Sequence, residues 1–290
     1  EHKFTDNIKL FSEIEIEHVV SSAEDKGEVE LEQAFIDFQY SNNHHVIAGM
    51  FLLPIGIINE THEPPTFYGV ERNSVERYII PATWWEAGVM FKGNITEQLS
   101  YDAAIHSGLN TNASSNYDIR EGRQEVMEAE ARGFGLTTRI SYKPLAGLDV
   151  NLALQYQPDL TQKSEPDSVS AFLINVNASY HYKGFGIKVL LADWEVSGDG
   201  AEAIGADRSF GYYIEPSYRI NDKWGVFVRW SQYDTTAGSN GGKSSKSIAN
   251  IGVNFWPHES IVIKLDFEDQ YNEDELEERQ GFNLGMGYQF

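Results

Sequence analysis

Carboxylates recur at every second position near the start of the chain, at Glu13, Glu15 and Glu17, and again at Glu28, Glu30 and Glu32. Alternate residues of a β-strand share one face and stand about 6.8 Å apart. Three carboxylates in such a line repel one another unless cations lie nearby. Hard cations take several carboxylate oxygens, so Glu13, Glu15 and Glu17 form a candidate calcium site. A solvated acidic mouth explains the same spacing. A second charged group, Glu60, His62, Glu63, Glu71, Arg72, Glu76 and Arg77, lies in residues 54–82. Folded into a hollow structure, this segment would set carboxylates against guanidiniums across a passage. Packed outside, it would be held by Pro64, Pro65, Phe67 and Tyr68.

Other candidates are weaker. His106-Ser107 and His181 supply the residue types of a Ser/His pair, but such a pair in a membrane barrel must sit on the lipid face. The strand register turns His181 the other way. His44-His45 has no third metal ligand at a suitable spacing and fits a turn. No glycine loop suited to cradling phosphate is present. The expectation is therefore no enzymatic activity and no cofactor.

The elements that must position these groups show a period of two. Leu148, Val150, Leu152, Leu154 and Tyr156 alternate with Asp149, Asn151, Ala153 and Gln155. The same pattern runs through 134–142, 172–182, 185–191, 210–218, 224–230, 261–267 and 282–290. One face is apolar and the other polar, as in half-buried strands. Fourteen strands are predicted, at roughly 7–19, 28–40, 45–53, 83–92, 97–107, 132–142, 147–157, 168–182, 185–195, 208–220, 223–233, 246–256, 260–269 and 279–290. Their connections alternate short and long. That is the pattern of an outer-membrane barrel with short periplasmic turns and long external loops.

A soluble sandwich or water-soluble barrel is the competing reading. It would place the apolar face inside. Two details oppose it: Tyr and Trp gather near the ends of the apolar faces, and the opposite faces carry Gly135, Ser141, Gly186, Gly211, Gly252, Asn254, Gly285 and Gly287. The expected fold is an all-β, transmembrane, antiparallel up-and-down barrel over residues 1–290. The lumen would then receive Lys9, Glu13, Glu15, Glu17, Asp37, Glu86, Asp102, Arg139, Asp149, Lys188, Glu215, Arg219, Arg229, Lys264, Asp266 and Glu268. Such charges either tune ion passage or pair across strands and brace the wall.

Composition agrees. The 290 residues carry a net charge of -22, which argues against nucleic acid as a partner. There is no cysteine, so no disulfide framework or thiolate site exists. Aromatics at 13% argue against plain disorder. No apolar run reaches the roughly 18 residues of a membrane helix. The chain starts at Glu1, which reads as processing, and Tyr288-Gln289-Phe290 is an aromatic ending in the lipid-facing register.

Residues 51–60 (FLLPIGIINE), 62–73 (HEPPTFYGVERN) and 79–93 (IIPATWWEAGVMFKG) resemble the phosphate-selective porin O and P family. The matching positions are Gly49, Phe51, Pro54, Gly56, Glu71, Arg72, Pro81, Thr83 and Gly88. The resemblance implies a homotrimeric, water-filled porin with a constriction loop, and sixteen strands in the complete family pattern. It implies phosphate selectivity less well, because dense Arg and Lys ladders are missing. The residues themselves predict passive diffusion of small hydrophilic solutes or ions, with weak cation preference or poor selectivity. The expected surroundings are outer-membrane lipid and lipopolysaccharide of a Gram-negative bacterium. A plugged binding barrel and an anion pore are the alternatives.

Overall fold

The computed structural model describes the chain except residues 18–27, 128, 274–277 and 290, and gives only the backbone of residues 16, 17, 28 and 278. The side chain of Glu17 and the terminal Phe290 thus lie outside the described residues. One antiparallel sheet holds β1 (His2–Lys3), β2 (Ile8–Glu17), β3 (Glu28–Ser41), β4 (His44–Leu52), β5 (Trp85–Asn94), β6 (Leu99–His106), β7 (Gly135–Tyr142) and β8 (Leu148–Gln157). It continues through β9 (Ser170–Tyr182), β10 (Phe185–Ser197), β11 (Arg208–Arg219), β12 (Trp224–Asp234), β13 (Lys246–His258), β14 (Ile261–Asn272) and β15 (Glu278–Tyr288). Each strand pairs with its neighbours in sequence. The fourteen predicted strands are β2 to β15, with ends shifted by a few residues, and β1 is a two-residue addition along the outer edge of β2.

The faces are arranged inside out relative to a soluble sandwich. Leu136, Ile140, Leu152, Tyr156, Ile174, Val176, Ile214, Val228, Trp230 and Leu265 are exposed. Their polar neighbours Thr137, Ser141, Gln155, Asn175, Asn177, Ser231, Asn250, Asn254 and Asp266 are buried. An apolar outer band around a polar interior suits hydrocarbon outside and water inside. No helix among the described residues is long and apolar enough to cross a membrane.

The sheet curls around its own longest connection. Residues 53–84 reach Glu32 on β3 through His62, Arg139 on β7 through Glu60, and Asn175 on β9 through Gly56. They also reach Trp194 on β10 through Ile79, Tyr213 on β11 through Glu76, Ser231 on β12 through Asn73, and Asp266 on β14 through Val70. Gln289, just past β15, donates to Glu63. One loop can meet side chains from β3 through to the end of β15 only if they surround it.

The interior is less polar than the alternation implies. Leu53, Ile55, Val75, Ile79, Ile80 and Trp84 from the loop pack with Ile47, Met90, Ala104, Ala153, Leu190, Ala192 and Trp194 from the inner wall. The loop carries its own apolar residues, and the wall facing it supplies the matching surface. A short helix α1 (Ser74–Tyr78) lies within the loop. Its N-cap Asn73 accepts the Val75 N–H at 2.8 Å and donates to Ser231 at 2.9 Å, so one side chain caps the helix and anchors it to β12. A second short helix, α2 (Asp199–Ala203), follows β10.

Among the described residues, no pairing joins β2 to β15. Phe282, Leu284 and Met286 on β15 are 75–80% exposed, against 44–47% for Leu152 and Leu136 within the sheet. They lack the shade of a second neighbouring strand.

At the β9–β10 turn, Lys183 (φ 46°) and Gly184 (φ 83°) both have positive φ, the backbone of a tight two-residue hairpin. A Cβ at Gly184 would sit 2.7 Å from the Arg219 carbonyl oxygen. Gly184→Val is therefore expected to destabilise the barrel by about 1–3 kcal/mol. The check is the temperature at which the compact gel band converts to the unfolded one, which should fall; an unchanged temperature would refute the assignment of strain to this turn.

Candidate functional site

Between the loop, β2 and the end of the last strand lies a cavity of about 870 Å³. The wall of this opening comes from β2 (Glu13, Glu15), β3 (Glu32), the end of β15 (Tyr288) and Gln289 just past it. The facing side comes from the loop, through His62, Glu63, Glu71, Arg72 and Arg77, and from Arg120 of residues 107–134.

On the acidic wall, a β-bulge at Glu32 does the positioning. Pairing runs from Glu13↔Gln33 to Ile14↔Leu31, leaving Glu32 as the extra residue. Val29 and Leu31 are exposed on one side of it, and Ile36, Phe38 and Tyr40 on the other. The parity of the strand flips there, and Glu32 and Gln33 both turn inward. Gln33 donates to Glu13 at 2.6 Å. Glu32, 2% exposed, lies 3.0 Å from Nε2 of His62, whose Nδ1 is 3.2 Å from the Asn59 carbonyl. Burial alone would lower the His62 pKa, and the Glu32 carboxylate outweighs it, holding the imidazole above its ordinary value. Donor atoms of Glu15, Glu32 and His62 lie within 4.8 Å of one another, and these three could hold a metal ion.

The basic side is knit to the loop backbone. Arg120 donates to the carbonyls of Arg77 (2.6 Å) and Ala82 (3.0 Å), and Arg123 to that of Thr83. Arg72 donates to the Thr83 hydroxyl. Arg77 and Arg120 share the Tyr78 ring, at 5.4 and 6.0 Å from its centre. Burial, then the like charges of Arg123 and Arg77, push the Arg120 guanidinium down to about 10. Neither Arg120 nor Arg123 belongs to the charged groups that the sequence sets apart by spacing. Their signal was two arginines within four residues of a long loop, in a chain with 22 basic against 44 acidic residues.

The other sequence candidates are distributed as follows. Arg139 bridges Asp102 on the wall and Glu60 on the loop. Arg229 meets Glu215 at 3.2 Å and the Tyr68 carbonyl at 3.4 Å. Lys188 lies in the same small recess as Glu215 and Arg229. Lys264 stands 3.5 Å over the Phe67 ring, Asp266 accepts the Val70 N–H, and Glu268 accepts from Asn250. Four sit away from the opening, paired near the ends of strands: Lys9 with Glu1, Asp37 with His45, Asp149 with Lys143, and Arg219 over the Trp256 ring. Glu86 accepts from Trp84 at 2.8 Å and from Ser107. Glu76 is fully buried within the loop, where its carboxylate accepts the N–H groups of Ile57 and Ile58 and, from β11, the Tyr213 hydroxyl. Burial raises its pKa despite these bonds. Of the candidate calcium set, Glu13 accepts from Gln33 and Glu15 lies with Glu32 and His62, while the Glu17 side chain is outside the described residues.

No family model matches the chain. It is 31% identical over 297 residues to an uncharacterized protein of Aquifex aeolicus, covering 92% of this chain and 67% of that protein. Among solved structures it is similar to the outer membrane channel DcaP of Acinetobacter baumannii, with a TM-score of 0.66 and 11% identity over 97% of this chain and 80% of that one. It is similar to OmpF of Salmonella typhi, in complex with daunomycin, with a TM-score of 0.64 and 13% identity over 92% and 79%. It is also similar to OmpT, an outer membrane protein of Vibrio cholerae in a trimer form, with a TM-score of 0.62 and 10% identity over 98% and 87%. The fold is thus that of the outer-membrane β-barrel porins of Gram-negative bacteria, and the narrower likeness to the phosphate-selective O and P family gains no support.

One expectation is corrected. The exclusion of enzymatic activity does not stand, because OmpT is among the matched structures and likeness at 10% identity speaks to fold alone. The Ser/His pair itself is not assembled: Ser107 donates to Glu86, while His106 Nε2 faces Thr137 at 2.9 Å.

Glu76→Ala would strip partners from two loop N–H groups and one hydroxyl, at about 1–3 kcal/mol for each group left unsatisfied. The loop is expected to loosen from β11. Limited proteolysis should then cut within residues 53–84 while the strands stay protected; a loop as resistant as in the parent protein would count against Glu76 as its anchor.

Proposed function

This chain belongs to the family of the Aquifex aeolicus protein, and we propose that it is a porin passing small hydrophilic solutes and ions by diffusion. The observation that carries the reading is the loop of residues 53–84 inside the barrel, with an open cavity of about 870 Å³ beside it. The loop acts as the constriction. Glu13, Glu15 and Glu32 on one bank face Arg72, Arg77 and Arg120 on the other, which sets a field across the passage rather than along it. Such a field orders dipolar solutes and discriminates weakly between ion signs. The remaining acidic excess of the chain tips the balance slightly towards cations.

The Arg72, Arg77, Arg120 and Arg123 cluster favours a second reading, an anion-preferring pore. Other parts of the proposal are the outer-membrane setting among lipid and lipopolysaccharide, and a homotrimer, as in the trimer form of OmpT.

Planar-bilayer recording tests the proposal. Purified protein is expected to give stable open-channel steps, and a salt gradient a small reversal potential of cation-selective sign. Absence of any conductance would end the porin reading, and a strongly anion-selective potential would favour the second one. Substituting both Arg120 and Arg123 by Gln should raise the cation-to-anion permeability ratio about twofold or more, since one kT of local potential changes ion occupancy about threefold. Glu15→Gln with Glu32→Gln should move the ratio the other way.

A further inference from the structure

We propose that Glu15, Glu32 and His62 form a binding site for a first-row divalent cation, with zinc the best fit, that clamps the inner loop to the barrel wall. The three come from separate elements: Glu15 from β2, Glu32 from β3 and His62 from the loop. Their donor atoms already lie within 4.8 Å of one another. Two carboxylate oxygens with one imidazole nitrogen make a donor set suited to zinc, and three protein ligands leave a position for water. The site borders the open cavity, so an ion has a path to it.

Two further features fit ligation. His62 Nδ1 sits 3.2 Å from the Asn59 carbonyl, the outer hydrogen bond that orients a metal-binding imidazole and leaves Nε2 for the ion. Nε2 points at Glu32 Oε2, 3.0 Å away. Glu32 itself is aimed inward by a β-bulge, which gives up a regular ladder position. Zinc–ligand distances of about 2.0–2.2 Å put tetrahedral donors about 3.4 Å apart. The cluster therefore closes by about an ångström, within reach of a glutamate side chain.

The charges balance. Without metal, the proton on Nε2 is shared towards Glu32. When the ion binds, that proton leaves to solvent and the metal–nitrogen bond takes its place. Two carboxylates then neutralise the dication. Arg72, which lines the same opening, opposes the ion, and the Glu13 carboxylate on the same wall offsets it.

The test uses the whole chain folded in detergent micelles, stripped with a chelator and dialysed against micromolar zinc. About one zinc per chain should be retained by elemental analysis. Glu15→Gln, Glu32→Gln and His62→Gln should each weaken binding at least about tenfold, since even a partner outside the ligand shell typically costs 10–100-fold. His45→Gln, which alters a histidine paired with Asp37 elsewhere on the wall, should bind as the parent does. Heat-modifiable gel mobility identifies variants that have folded. Should a variant not fold, X-ray absorption at the zinc edge of the parent protein decides, with one nitrogen among oxygen ligands expected. No retained zinc, unchanged binding in folded His62→Gln, or a shell without nitrogen would each overturn the site. None of these readouts depends on conductance, so this proposal and the porin reading fail separately.

Discussion

Hydrocarbon offers a backbone no hydrogen-bond partner, and everything else in this molecule follows from that constraint. Crossing segments therefore pair with their neighbours, and the chain runs as successive antiparallel strands from β1 to β15. Every strand must show lipid an apolar face, so its polar residues turn to the interior. Those inward residues then meet a loop rather than water alone. Asn175, Ser231, Asp266 and Arg229 each hold part of residues 53–84, and the loop's own backbone groups find partners that the lipid side could never supply.

The two banks of the opening rest on different supports. The acidic bank is fixed by strand pairing and one bulge. The basic bank is fixed by guanidiniums bonded to the carbonyls of residues 77–83, so those charges are set by the course of the loop. The apolar core beneath, from Leu53 to Trp194, holds that course rigid. Electrostatics at the opening thus depends on hydrophobic packing at its back.

The strands were legible because period-two alternation is a direct imprint of a sheet with unlike faces, and Leu148 to Tyr156 shows it without interruption. The length of the connections was legible too. The bulge was not: Glu28, Glu30 and Glu32 keep strict alternation in sequence, and the parity change between Leu31 and Gln33 shows only in the pairing. Nor was the inner core. Leu53, Ile55, Ile79 and Ile80 have no partner in sequence that announces which wall they meet. Helix α1 spans five residues, too short for a helical period to register. Arg120 lines the opening from a second loop and Arg123 braces the Thr83 carbonyl beside it, and a pairing of that range leaves no local spacing to read.

The seated loop also constrains how the molecule comes to be. Val70 bonds to a residue 196 positions away, and Glu63 to one 226 positions away. Contacts of that range form late and slowly. A segment gripped from β3 round to the end of β15 can therefore complete its seating only once the last strands are in place. The interior is thus finished last, by the strands that are made last.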